Sequence, residues 1–260
     1  MHSTPHSSGY DTSINVIGGL KDLSMIEHAY EYFFTHGGDQ GSILPKDQFD
    51  LRTERTQLRV ERGIRNGFLK FHDSAHQLLL QSLLSESLPL QDRNLVLFWQ
   101  LCLNNWLFKE ISDHVYVPVY WSGRTTLPKE EVIAFIKEIV HLNPELDWSE
   151  ITIITLARKY LNFLTKLGFL EGAQKKYFTG ISLSSEAVIA FLYFSRVADP
   201  STRNLLKNTF LQLSMIPKDD LIARLKRLSM KEYFEMDYNG VDLNLSLTHE
   251  EQEVGHVLYH

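Results

Sequence analysis

The stretch 147–183 constrains this chain more than any other. Ile153, Ile154, Ala157, Leu161, Leu164 and Leu167 recur at three- and four-residue steps, a period that puts them on one side of a helix. Asp147 stands where a helix start needs a cap, with Glu150 three residues on as its capping-box partner. Lys166 falls in the last turn, and Gly168 supplies the left-handed residue that stops a helix. Phe169, Leu170, a polar turn at 171–174, and then Tyr177, Phe178, Ile181 and Leu183 predict a short hairpin directly after it.

A preceding helix at 130–142, joined through Asn143-Pro144, completes an order of helix, turn, helix and hairpin. That is the order of the last two helices and the wing of a winged-helix domain. The same pattern would equally fill a core, since a fold does not fix a function. Further along, a helix is expected at 184–197 until Asp199-Pro200 breaks it, and more helices at 203–213 and 218–230. Two alternating runs, 233–237 and 241–247, flank Tyr238-Asn239-Gly240, a hairpin signal. With Arg224, Lys226, Arg227 and Lys231 beside it, this is a second winged-helix-like pattern, a structural echo without sequence repetition.

Ahead of both lies an arginine-rich helix, expected at 46–71. At 100° per residue, Arg52, Arg55, Arg59 and Arg62 fall within roughly 80° of one another, with Val60, Ile64, Phe68 and Phe71 opposite. Four guanidinium groups on one stripe repel each other unless something anionic lies along them. Glu54 and Glu61 flank the stripe and can pair with some of them; otherwise the stripe suits phosphate oxygens, which guanidinium binds in a bidentate way. Net charge is −6, which argues against a protein that coats nucleic acid. Yet 46–71 holds seven basic and four acidic residues, and 147–183 five and three, and it is local field that steers a polyanion.

The remaining sequence narrows the alternatives. The segment 115–121, VYVPVYW, reads as an edge strand or extended linker because of its central proline. It divides a helical unit at 13–114 from a winged-helix-like unit at 115–247, between a disordered tail at 1–12 and an acidic tail at 248–260. The most apolar segment, 95–108, is too short and too polar at Gln100, Asn104 and Asn105 for a membrane span of about 20 residues. The polar start is not a signal peptide, and the single Cys102 forms no disulfide framework and fits a reducing cytoplasm. His72 and His76, four apart with Asp73 between them, are a weak echo of a zinc-protease motif, without a third ligand at a supporting spacing. No phosphate loop, dinucleotide fingerprint or nucleophile elbow is present, so neither an enzyme nor a metal or other cofactor is expected.

INVIGGL at 14–20, TERTQLRVERGIRNGFLKF at 53–71, DWSEITIITLARKYLNFLTKLGFLEG at 147–172 and the later helices with their YNG hairpin together resemble the BrxA family of BREX phage-defence systems. The resemblance spans 13–247. It implies a mainly helical, non-enzymatic component with helix-turn-helix or winged-helix units and short hairpin wings. It also implies double-stranded DNA and other BREX proteins as partners. Family members are sometimes labelled inner-membrane proteins, a label the segment lengths here contradict. The family supplies no catalytic residues; charge and periodicity nominate Arg52, Arg55, Arg59, Arg62, Arg65, Arg158, Lys159, Lys175 and Lys176 as backbone contacts of low sequence specificity. The competing expectation is a protein-interaction adaptor, favoured by the acidic net charge and the 12% aromatic content.

Overall fold

The computed structural model describes residues 9–37, 41–45, 48, 49, 51 and 53–260. Helices run in the order α1 (Ile14–Ile17), α2 (Ser24–His36), α3 (Glu54–Phe68), α4 (Ser74–Ser85), α5 (Leu90–Asn104), α6 (Trp106–Ile111), α7 (Val117–Trp121), α8 (Lys129–Leu142) and α9 (Glu150–Lys166). The hairpin β1 (Leu170–Glu171) and β2 (Tyr177–Phe178) follows, then α10 (Ser185–Ala198), α11 (Lys218–Leu228), the hairpin β3 (Phe234–Tyr238) and β4 (Leu243–Leu247), and α12 (Val254–Tyr259). The protein is mainly α-helical, with two small antiparallel hairpins among the described residues.

The chain forms two compact units. One comprises the described residues up to Lys70 together with Gln100–Gly180; the other comprises Phe71–Trp99 and Ile181–His260. The division falls inside α5 and not at 114/115, where the sequence suggested one. The reason is local: 115–121 is neither strand nor linker. Ser112–Tyr116 makes a π turn that runs straight into α7. Pro118 is the second residue of α7, directly after the π turn, and Tyr116 and Val117 are buried.

In the first unit α1 is wedged between α3 and α9. A β-carbon on Gly18 would overlap the carbonyl oxygen of Lys159. On α3, β-carbons at Gly63 and Gly67 would come within 2.8 Å of Val16 Cγ1 and 2.9 Å of Ile17 Cδ1. Glycine at i and i+4 thus cuts a groove into α3 that receives α1. The carbonyls at the end of α3 are met by side chains: Tyr30 Oη donates to Phe68 O at 2.9 Å, Gln100 Nε2 to Phe68 O at 3.0 Å, and Asn104 Nδ2 to Lys70 O at 2.9 Å. Phe68, Phe108, Tyr160 and Phe163 pack around this anchor with ring centroids 5.1 to 6.1 Å apart.

Two helix starts differ from expectation. α3 begins at Glu54, because Thr53 Oγ1 accepts the Thr56 N–H at 3.1 Å. α9 is capped by Ser149, whose Oγ accepts the Thr152 N–H at 3.3 Å. Asp147 instead closes the short 3₁₀ turn Pro144–Leu146 with φ +41°. Gly168 stops α9 as its sequence requires, with φ +71°. Beyond it β1 pairs with β2, and Thr126 makes an isolated antiparallel bridge to Tyr177 of β2.

The second unit is built around α10, whose residues from Ala187 to Ser195 are all buried, the mark of a central helix. Trp99 stacks against Phe191 and Phe194 and donates its indole N–H to Leu213 O at 2.8 Å. The helix expected at 203–213 is two 3₁₀ turns, Leu205–Lys207 and Leu211–Ser214. Asn204 and Asn208 break it by accepting the N–H groups of Leu206 and Phe210, the competition with helical hydrogen bonding that asparagine offers. The Asn-Gly hairpin forms as expected, Phe234 opposite Leu247 and Tyr238 opposite Leu243. Here too a lone residue, Asn204, bridges to the second strand at Asn244. The acidic stretch 248–260 is not simply a tail, since it carries α12, which buries Val254 and Leu258. Of the stretch 1–12, residues 1–8 lie outside the described residues, and Asp11 accepts the Asn105 amide at 2.8 Å.

Gly18→Ala should lower stability by about 1–3 kcal/mol, the range for overpacking a filled contact, because its neighbour is backbone and cannot rotate away. Gly63→Ala should cost less, since it meets only the Val16 side chain and gains about 1 kcal/mol of helix propensity. Thermal melts followed by circular dichroism would rank the two.

Candidate nucleic-acid interface

The arginine stripe is set by the register of α3. Val60, Ile64 and Phe68 are buried, so Arg55, Arg59 and Arg62 are turned out and exposed. Their steps of four and three residues put them about 6 and 4.5 Å apart along the helix axis. Arg65 is half-buried and donates to Gly41 O at 2.9 Å. Arg52 lies outside the described residues.

The two glutamates that could pair with some of these arginines do not. Glu61 is 6% exposed and points inward. Its carboxylate accepts from Ser42 Oγ, from Leu44 N at 3.2 Å and from Gln57 Nε2 at 3.1 Å. Glu54 is exposed and forms no ion pair among the described residues. Among the described residues, Arg55, Arg59 and Arg62 have no carboxylate within ion-pair distance.

On α9, Arg158 is exposed and Lys159 half-buried. Lys175 is exposed at the turn between β1 and β2, its ammonium 5.3 Å from the centre of the Tyr177 ring. Lys176, also nominated as a phosphate contact, is only 8% exposed. Its ammonium donates to Gly172 O at 2.7 Å and to Thr165 Oγ1 at 3.0 Å, tying the hairpin to the end of α9. Burial lowers its pKa. Lys176 stands just before β2, and Tyr177, the first residue of the strand, faces out.

Lys166, read in the sequence only as a complement to the helix end, belongs to this group. It donates to Gly18 O at 3.2 Å. Burial lowers its pKa, and the positive charges of Lys159 and Lys176 lower it further. The Gly18-Gly19 turn brings α1 against α9 at this point, a contact that charge counting along the sequence does not reveal.

The start of α9 has a different character. Its outward residues are Glu150, Ile151 and Ile154, with Ile151 77% exposed; Leu142, at the end of α8, is 64% exposed. Glu150 is engaged by Lys137 of α8 at 2.8 Å. The first outward cation on α9 is Arg158, in its third turn.

In the second unit, Ser185, Arg224, Arg227 and Lys231 line a surface cavity of about 410 Å³ at the start of α10. Arg224 donates to Leu183 O at 3.1 Å. These cations were noticed in the sequence but not nominated, because their convergence on α10 depends on the packing of α11. His72 and His76 do not form a ligand pair: His76 is fully buried and its Nδ1 accepts the His72 N–H at 3.2 Å, while Asp73 caps α4. Cys102 is buried, which pushes its thiol pKa well up. Among the described residues no helix is long and apolar enough to cross a membrane.

Residues 72–192 match the family model of BrxA. The match runs from α4 into α10 and leaves α3 and α11 outside it, a shorter span than the resemblance read over 13–247. No curated protein and no solved structure matches the chain.

Glu61→Ala should cost about 1–3 kcal/mol, the range for leaving buried donors without a partner, measured as a fall in thermal midpoint. It should leave anion binding by the stripe unchanged. If Glu61 instead neutralised the arginines, the same substitution would strengthen anion binding without loss of stability.

Proposed function

We propose that this chain, which belongs to the BrxA family through residues 72–192, is a non-enzymatic DNA-binding component of a BREX-type phage-defence system. It holds the duplex by its phosphates. The observation that carries this reading is the row of Arg55, Arg59 and Arg62, exposed on one helix face with both neighbouring glutamates engaged elsewhere or apart. Arg158 and Lys175 extend the reading to α9 and its hairpin. Lys176 supports it only indirectly, by fixing the hairpin.

The chain order supports a winged-helix reading of this unit. A single bridging residue, Thr126, precedes α8 and α9, and it pairs with the second strand of the hairpin that follows them. The second unit has a shorter form of that order, with Asn204, the single helix α11, β3 and β4. In both, the bridging residue precedes the helix that leads into the hairpin. Low sequence specificity follows from the outward residues at the start of α9, where isoleucine offers base edges no hydrogen bond.

A second reading is favoured by Leu142, Ile151 and Ile154, which expose apolar surface at the α8–α9 corner. Here the corner docks on another BREX protein and the chain acts as an adaptor.

Binding to a short random-sequence duplex, followed by fluorescence anisotropy across a salt series, separates the two. Each phosphate contact contributes about 0.9 to the log–log salt slope. Arg55→Ala, Arg59→Ala and Arg62→Ala combined should therefore reduce that slope by about 3 and weaken all duplexes alike. Unchanged binding by this triple variant would sink the DNA reading. Ile151→Glu with Ile154→Glu should leave DNA binding intact and, on the adaptor reading, abolish association with co-expressed BREX subunits.

A further inference from the structure

We propose that Glu86, His256 and His260 form a binding site for one divalent transition-metal ion of zinc type, which clips α12 onto α4. His256 lies on α12 and His260, four residues on, is its C-terminal cap with its N–H on His256 O, so both rings leave the same side. Their ring centroids are 4.7 Å apart. Glu86 is the residue at which α4 ends, in an extended conformation with ψ +161°. Its carboxylate meets His260 Nε2 at 2.8 Å and His256 Nδ1 at 3.9 Å. One ligand atom from each residue lies within 4.8 Å of the other two.

An ion pair alone accounts for only half of this arrangement. One carboxylate balances one imidazolium, and the 2.8 Å contact with His260 already makes that pair. The second imidazole, at 3.9 Å, is beyond hydrogen-bond length yet converges on the same group. Zinc held at 2.0–2.2 Å in tetrahedral geometry places its ligand atoms about 3.3 Å apart. The present separations of the two imidazoles from Glu86, 2.8 and 3.9 Å, bracket that value. Both histidines have the freedom to reach it, with side chains 73% and 61% exposed. Two imidazoles and one carboxylate suit zinc, nickel or copper, and not magnesium or calcium, which prefer oxygen throughout. Water would complete the coordination.

The site has a mechanical consequence. α12 is six residues long, too short to persist as a helix in isolation. It is held on its unit by the burial of Val254 and Leu258, by the Gly255 N–H donating to Ser82 Oγ at 2.8 Å, and by Tyr259 Oη against Asp92 Oδ2 at 3.2 Å. A metal bound by one residue of α4 and two of α12 would make release of α12 require loss of the metal.

The test is calorimetric titration of zinc chloride into the chelator-stripped, tag-free full chain, with magnesium chloride as control. One equivalent of zinc should bind and magnesium should give no binding. Zinc should raise the thermal midpoint and slow amide exchange in 254–259. His256→Ala, His260→Ala and Glu86→Gln should each weaken binding at least tenfold while leaving the metal-free thermal midpoint close to that of the parent. Cobalt substituted for zinc should give the visible absorption of a four-coordinate site, lost in the same variants. Failure to bind one equivalent would overturn the proposal. So would undiminished binding by the His256→Ala/His260→Ala double variant, which would move the site to others among the eleven histidines.

Discussion

The first unit depends on one backbone contact. Gly18 rests on the carbonyl of Lys159 with no space for a side chain, and the segment it ends, Ile14–Ile17, sinks into the groove made by Gly63 and Gly67. Close-packed interiors tolerate little displacement, so this wedge fixes α3 and α9 relative to each other. The consequence reaches the surface. Once Val60, Ile64 and Phe68 are committed inward, the arginines of α3 have no orientation but outward. The same contact brings Lys166 to Gly18 and gathers Lys159, Lys166 and Lys176 into one neighbourhood. The cations were not assembled by attraction to one another; the apolar and glycine contacts beneath them did it.

Magnitudes explain why the stripe stays unneutralised. An exposed ion pair between Glu61 and an arginine would contribute about 0–1 kcal/mol. Turned inward, the same carboxylate accepts three hydrogen bonds at a site that is almost fully buried, and bonds to a charged group are each worth about 1.5–3 kcal/mol net. The inward arrangement wins, and it also anchors Ser42 and Leu44. The remaining cost is repulsion between guanidinium groups, taken at a separation of about 6 Å. In water that is about 0.7 kcal/mol per pair before salt screening. The fold bears that cost easily, and an anion lying along the stripe would remove it.

What the sequence disclosed and what it hid follow from range. The apolar register of α9 (apart from Ile154, which faces out), its stop at Gly168 and the Asn239-Gly240 turn each depend on residues within a few positions, and these were legible. The segment 115–121 was misread because β-branched and aromatic residues favour strands only in so far as they pack on a sheet; here they pack on Phe169 and Phe178 as a helix. The helix expected at 203–213 failed through two asparagines that accept the N–H groups of Leu206 and Phe210 and are held in place by further bonds to Leu243 and Ser195. The inward turn of Lys176 and of Glu61 was likewise invisible, because charge reads as surface until a buried acceptor or donor claims it. Glu86 and the two histidines of α12 are separated by about 170 positions, and no spacing rule joins them.

The surface of α9 bears on how such a protein would find its place on DNA. A helix that reads bases needs hydrogen-bonding side chains at its entering end. α9 presents Glu150, Ile151 and Ile154 there and reaches Arg158 only in its third turn. Phosphate contacts from α3 would then supply affinity that falls with salt and is indifferent to sequence. A binder of that kind is positioned by something other than base contacts. The exposed apolar corner formed by Leu142, Ile151 and Ile154 is the surface on which another BREX protein would supply that positioning. On this view the two functional readings describe different faces of one molecule. Charge on α3 would hold the duplex, and the apolar end of α9 would decide where along it the protein is held.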